Sequence, residues 1–352
     1  MKTGRSLSEV LMELQRQNAE KKDFISPSSS LVLREDGRTL DMGEREFATT
    51  DLFHRQVSSS LGIPAKYYDL MQAQKPALLA ENVNTWFSDR DQNYMVRSLG
   101  GIARALLSDR YRRIDNMEVA SAVLPLFAGM EGIEVMSCEV TESRLYLKVV
   151  NHRLEMACVG DRVQAGVMIS NSEVGLGAVA VQPLVYTLAC TNGMVVNSLG
   201  ERKTHVGRAA KGIEDFGIIS DETMEAEDKA FILKLRDITM SAIDEARFGL
   251  IVGQLEESAG AKITGRVQDV VEVTGKEYGL GMAEQDGVLR YLIEGGDLSL
   301  YGLSNAVTRM SQDVENYDRA TALEGIGWQV ATMGREKWKE IMVRKSHTKD
   351  RA

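Results

Sequence analysis

The chain has 352 residues, 43% of them apolar and 26% charged, enough for one large globular domain or two ordinary ones with packed cores. Only 6% of residues are aromatic and five are proline, which favours a helix-rich chain over a turn-dense sandwich. The formal net charge of −9 argues against a dedicated duplex-DNA binder, whose phosphate contacts need a basic surface, so the distribution of charge has to be read locally.

Cys138, Cys158 and Cys190 are odd in number and share no CxxC spacing. They read as three separate buried thiols, neither a disulfide framework nor a zinc site. The N-terminal stretch lacks an apolar core of signal-peptide length, and no run approaches 18 apolar residues. The expectation is a soluble cytoplasmic protein with no membrane partner.

In chain order, residues 4–22 carry Leu7, Val10, Leu11 and Leu14 at helical spacing. Ser26-Pro27-Ser28-Ser29-Ser30 reads as a linker or turn, and LVLRED as a brief strand before the Asp36-Gly37 turn. Residues 48–90 are mainly helical. Thr50 or Asp51 caps the first helix, Gly62 ends it, and Pro64 and Pro76 open the next two. Arg97–Leu107 is strand-like, with a turn at Ser108-Asp109. A helix follows from Asn116 to Phe127.

Residues 135–150 alternate well enough for two strands turning near Thr141–Ser143. In RLYLKVV, Leu145, Leu147 and Val149 share one face, and Arg144, Tyr146 and Lys148 the other. Residues 164–196 form a long apolar strand pair with a polar tip at Ser170–Glu173, ending in the tight turn Cys190-Thr191-Asn192-Gly193-Met194. Residues 214–228 hold seven acids and no Lys or Arg, a solvated block that suggests a boundary near 215–225. Residues 223–256 read as one long helix, and 262–343 as further helices separated by glycine.

These elements imply an α+β chain: a central helix–strand meander with a long β-hairpin, a helical N-terminal part and a mostly helical C-terminal part. The expected division is 1–47, an N-terminal helix with a linker and short strand; 48–215, the α+β core; 216–343, a helical domain; and 344–352, a basic polar tail.

No complete catalytic motif is visible. GxSxG, P-loop and HExxH patterns are absent, and His54, His152, His205 and His347 are scattered, with no metal-ligand spacing. His54 reads as a surface or satisfied core histidine. Gly175-Leu176-Gly177 imitates part of a phosphate loop but lacks its lysine, and reads as a bend. The chain is therefore expected to be no enzyme and to need no cofactor or metal.

Basic clusters carry the remaining chemistry. Arg97, Arg104, Arg110, Arg112 and Arg113 lie close together in sequence around Tyr111; Lys148, His152, Arg153 and Arg162 follow. Arg202, Lys203, Arg208 and Lys211 form a second run beyond the strand pair. Guanidinium groups suit phosphates and an aromatic ring can stack on a base, so single-stranded nucleic acid is the sharp reading; a solvated face that offsets the acids elsewhere is the bland one.

Several ordered segments resemble a known family. LGIPAKYYDLM from Leu61, LLAENVNTWF (78–87), LSDRYRRIDN (107–116), ISNSEVG (169–175), LACTNGM (188–194) and the stretch 301–330 resemble the phage/plasmid-like proteins known as domain of unknown function 932. The resemblance spans roughly 48–330 and implies a bacteriophage, prophage or plasmid origin without an established activity. At the strand tip this chain carries Glu173-Val174-Gly175, where the resemblance implies an aromatic residue or an aspartate–glycine pair. The order helix, strand meander, long hairpin also resembles the core of phage single-strand annealing proteins, which assemble into rings or filaments on single-stranded DNA.

The expected function is thus a phage- or plasmid-encoded single-stranded DNA-binding protein active in annealing or DNA recombination and working as a homo-oligomer. Its candidate contacts are Arg104, Arg110, Tyr111, Arg112, Arg113, Lys148, Arg153, Arg202, Lys203 and Arg208, with Tyr146 as a second stacking ring. The alternative is a non-enzymatic scaffold or counter-defence protein acting on a host protein.

Overall fold

In the computed structural model the description covers residues 1–111, 114–177, 179–196 and 221–343. The fold is α+β, as expected, with the helices unevenly shared.

Helix α1 (Leu7–Glu20) opens on a capping box, in which Ser6 and Glu9 satisfy each other's backbone N–H groups. Strands β1 (Lys21–Pro27), β2 (Val32–Leu33), β3 (Thr39–Asp41) and β4 (Glu46–Thr49) follow. Then come α2 (Asp51–Leu61), α3 (Ala65–Gln74) and α4 (Pro76–Ser88), and strands β5 (Asn93–Leu99) and β6 (Ile102–Ser108). Thr50 caps α2 by accepting the Phe53 N–H, and Gly62 closes it in the left-handed region at φ 72°.

The first sheet has the order β1-β5-β6-β4-β3-β2 and is mixed, because β4 runs parallel to β6. Four of its six strands come from residues 21–49, so the sheet runs across residue 47. The Ser26–Ser30 stretch, expected as a linker, is the end of β1 and a short 3-10 turn. Leu31, Phe53, Tyr68, Leu79, Phe87 and Val96 form part of one core between this sheet and α2–α4.

The second sheet is a curled antiparallel meander, β7 to β11 in sequence order: β7 (Ile133–Val140), β8 (Leu145–Cys158), β9 (Asp161–Asn171), β10 (Ala180–Thr187) and β11 (Asn192–Val195). Helix α5 (Asn116–Ala128) precedes it. One face packs on α1, α5 and α6 (Asp221–Ala242) through Leu145, Leu147, Val149, Val167 and Ile169. Farther along the same face, α7 (Glu245–Gly260) and α10 (Leu300–Met310) pack on Val163, Ala165, Val185 and Met194, while the other face, with Tyr146 and Lys148, is covered by α11 (Tyr317–Ala331). The stretch 223–256 is two helices, not one; the break at Ile243-Asp244 is fixed by Asp244, whose side chain caps α7 at the Arg247 N–H. Helices α8 (Val267–Tyr278), α9 (Met282–Gly295) and α12 (Arg335–Val343) complete a separate helical core with α10 and α11.

This double cover corrects the reading of β8. Tyr146 and Lys148 do lie opposite Leu145 and Leu147, but α11 buries that face as well: Tyr146 packs on Tyr317 and Lys148 has no exposure. Of the cysteines, Cys138 and Cys158 are buried as expected, whereas Cys190 is exposed. Among the described residues no helix is long and apolar enough to cross a membrane.

Candidate functional site at the strand tip

The hairpin of β9 and β10 is in the register Ala180↔Ser170, which leaves its tip to begin at Asn171. The tip is polar in sequence yet buried: Asn171, Ser172, Glu173 and Val174 are each at most 4% exposed. It wedges against the first sheet, α2 and the start of α5, which supply partners for most of its polar groups.

Glu173 Oε1 accepts the Asn116 backbone N–H at 2.7 Å, and Glu173 O accepts from Arg97 Nη1 at 2.9 Å. Asn171 Nδ2 donates to Ile114 O and Asn116 Oδ1, both at 2.9 Å. Gln56 of α2 spans the junction, donating to Val174 O at 2.7 Å and accepting the Leu106 N–H at 2.9 Å. Gly175 and Gly177 hold φ of 80° and 129°, so this glycine pair makes a turn that L-residues rarely adopt. At Gly175 a side chain would also meet Leu107 Cδ2 at 2.4 Å.

Arg97 is the centre of the junction. Its side chain is 1% exposed and ion-paired to Asp23 of β1 at 2.8 Å and to Asp115 at 2.7 Å. Burial pulls its pKa down, but the two carboxylates outweigh burial and raise it further above the ordinary arginine value. Asp115 shows the mirror case: burial raises its pKa, yet Lys21 and Arg97 together hold it below the ordinary aspartate value. A buried charge survives when it is paired and hydrogen-bonded, and here each member is. The sequence hint is a charge in the middle of an apolar strand, NYMVRSL in β5 and IARALLS in β6. A lone arginine at such a position needs buried acids.

The candidate DNA contacts scatter around this junction. Arg104 of β6 is 8% exposed and faces Glu173 Oε2 at 3.6 Å. Its pKa is lowered by burial, with Glu173 opposing. Lys148 is fully buried, 2.7 Å from Glu324 Oε2 and 3.0 Å from Thr321 Oγ1, so it is removed from any phosphate-contacting set. Tyr146 is 5% exposed and cannot stack on a base. Tyr111 is half-buried against the Leu52, Met95 and Leu107 cluster, with its hydroxyl donating to Ser172 O at 3.3 Å. It anchors the loop after β6 to the strand tip.

Arg110 is exposed on that loop, and its backbone N–H is held by Ser108 Oγ at 3.2 Å. Arg153 is exposed and paired with Glu131. It lies at the far end of β8: Leu145 pairs with Asn171 by the tip, and the run to Arg153 covers roughly 25 Å at ~3.3 Å per residue. Arg153 is therefore not a neighbour of the strand tip. Arg112, Arg113, Arg202, Lys203 and Arg208 lie outside the described residues, as do the acidic stretch 214–220 and the tail 344–352.

His54 is a satisfied core histidine, with Nδ1 2.8 Å from the Tyr68 hydroxyl and Nε2 2.8 Å from Thr49 Oγ1. Among the described residues no group of His, Cys, Asp and Glu could hold a metal ion. The junction itself offers buried, ion-paired charges that hold the strand tip to the first sheet. No protein-family model, curated protein or solved structure matches this chain.

Proposed function

We propose that the protein binds single-stranded DNA and acts in strand annealing as a homo-oligomer, and that it belongs with the phage- and plasmid-borne proteins it resembles. One observation carries this reading. The basic loop after β6 leaves Arg110 exposed while Tyr111 ties the same loop to the buried strand tip. A phosphate-binding arginine is most effective on a rigid mount. The order helix, curled meander, long hairpin supports the same reading at the level of architecture only.

The proposed contact set is narrower than sequence spacing implies. It consists of Arg110, Arg112 and Arg113 on the loop and Arg202, Lys203 and Arg208 beyond β11. Anisotropy titration of a fluorescent oligothymidylate tests it. Affinity should fall with salt at a log–log slope near −0.7 per phosphate neutralised. Changing Arg110, Arg112 and Arg113 together to alanine should make that slope shallower by about 2. Absence of binding at low salt overturns the reading, and solution mass with and without the oligonucleotide tests assembly.

A second reading has its own support. Tyr67 and Leu70 of α3 and Leu78 and Trp86 of α4 are each 40–49% exposed, a set of apolar side chains suited to a protein partner. A non-enzymatic scaffold or counter-defence protein would use such a surface. Capture of one stoichiometric host protein, with no nucleic acid in the purified sample, would favour it.

A further inference from the structure

A cleft of about 280 Å³ opens between α1, the start of β6 and the β7–β8 turn. That volume is at the small end of ligand sites. Leu52, Leu99, Ile102 and Val140 give it apolar walls. Three arginines reach it, and two are already engaged. Arg16 is held by Glu13 at 2.7 Å and Glu20 at 2.5 Å. Arg5 is held by Glu139 at 2.6 Å and donates to Val140 O at 2.7 Å.

Arg104 is different. Its side chain is 9% exposed, its Nη1 is buried without a hydrogen bond among the described residues, and its ion-pair partner Glu173 Oε2 stands 3.6 Å away. Gln17 on the facing helix is 8% exposed; its Nε2 donates to Glu13 at 2.7 Å, while its Oε1 receives no donor. A buried donor and a buried acceptor left open in one cleft are each costly, and a ligand that meets both recovers that cost. Glu142 stands at the exposed rim and forms no ion pair among the described residues.

The sign of the ligand follows from the surrounding charge. Of the cleft's arginines, Arg5 faces Glu139, Arg16 faces Glu13 and Glu20, and Arg104 faces Glu173, with Glu142 at the rim, so a bare anion adds uncompensated negative charge beside these carboxylates. A neutral dipolar ligand does not. We infer that this cleft binds a small zwitterion of the apolar α-amino-acid type. Its carboxylate pairs with Arg104, its ammonium donates to Gln17 Oε1 under the field of Glu142, and its side chain rests on Leu52, Leu99, Ile102 and Val140. The inference is independent of DNA binding.

Calorimetric titration of the full-length protein with L-leucine tests it. Saturable binding is expected, weakened at least about tenfold when the carboxylate is masked in L-leucinamide or the amine is masked in N-acetyl-L-leucine. The exposed Glu142→Gln variant should lose affinity and remain folded, and Gln17→Leu should do the same. Arg104→Met should abolish binding, with circular dichroism confirming its fold. Three results would overturn the assignment. They are no saturable heat with leucine, valine, methionine or phenylalanine up to about 10 mM; equal binding of 4-methylvalerate, which has no amine; or unchanged affinity in both Glu142→Gln and Gln17→Leu.

Discussion

At the scale of single residues, the polar side chains that matter most are the hidden ones. Lys148 and Glu324 are both fully buried and join β8 to α11. Burial lowers the Lys148 pKa, and Glu324 works against that shift. Removing one partner strands the other charge in an apolar core. Lys148→Met is therefore expected to cost about 3–5 kcal/mol in urea unfolding, while Lys148→Met with Glu324→Leu should recover much of it. A double-mutant cycle without coupling would contradict the pairing. His54 adds a pH term of known sign. Burial holds its folded pKa at about 4, against 6.5 when unfolded. Between those values the unfolded chain binds more protons, so stability falls as the pH is lowered from about 6.5 towards 4 and is fully retained above 6.5. The loss approaches about 3 kcal/mol at the acid end. The difference between wild type and His54→Gln in urea midpoints at pH 7.5, 6 and 5 isolates this term, and an unchanged difference across that range would exclude it.

At the scale of elements, local signals account for some parts of the fold and non-local pairing for others. The run α2–α4 is legible because Thr50, Gly62 and Pro76 mark its helix boundaries where the structure has them. Within 164–196, expected as one strand pair, β9 and β10 are legible from the apolar run and turn residues, whereas the end of the stretch, expected as a turn, forms a third strand, β11, paired on β10. Strand β1 is not: KKDFISP has no alternation, and its residues become a strand by pairing with β5, some seventy positions away. Lys148 misleads for a related reason. Alternation separates two faces of a strand, but it cannot say that a distant helix covers both. The tip was legible as polar and not as buried, because its partners Arg97, Asn116 and Gln56 come from three other segments. Two glycines test how closely the elements are fitted. A Cβ on Gly166 of β9 would lie 2.4 Å from Val149 O, so Gly166→Ala should destabilise by about 1–3 kcal/mol. Gly253 is exposed in α7 with nothing within 4 Å of its Cβ position, so Gly253→Ala should stabilise by up to about 1 kcal/mol. Thermal melts of the two variants should move in opposite directions, and equal shifts would contradict the packing.

At the scale of the molecule, the meander is the common wall of otherwise separate cores. Helices α8–α12 build one core largely among themselves. A second cluster instead joins helices to strands: Phe248, Ile251 and Leu255 of α7, Tyr301 of α10 and Trp328 of α11 pack on Val163, Ala165, Val185 and Met194. Farther along the same face of the meander, Phe231 and Leu235 of α6 pack with Val119 and Val123 of α5. The helical part thus has a core of its own but not a finished surface. Each large apolar side chain in that interface contributes roughly 1.5–3 kcal/mol by leaving water, and together they form a patch larger than a soluble monomer ordinarily exposes. A fragment of residues 221–343 should therefore retain helical circular dichroism, because α8–α12 keep their contacts. It should also bind a hydrophobic dye and self-associate in light scattering, because the faces of α6, α7 and α11 have lost the sheet. The same fragment carrying Phe248→Ser and Ile251→Ser should bind less dye at equal helicity. A monodisperse, dye-silent wild-type fragment would mean that the helices close over that face without the meander, and that the sheet is not their necessary partner.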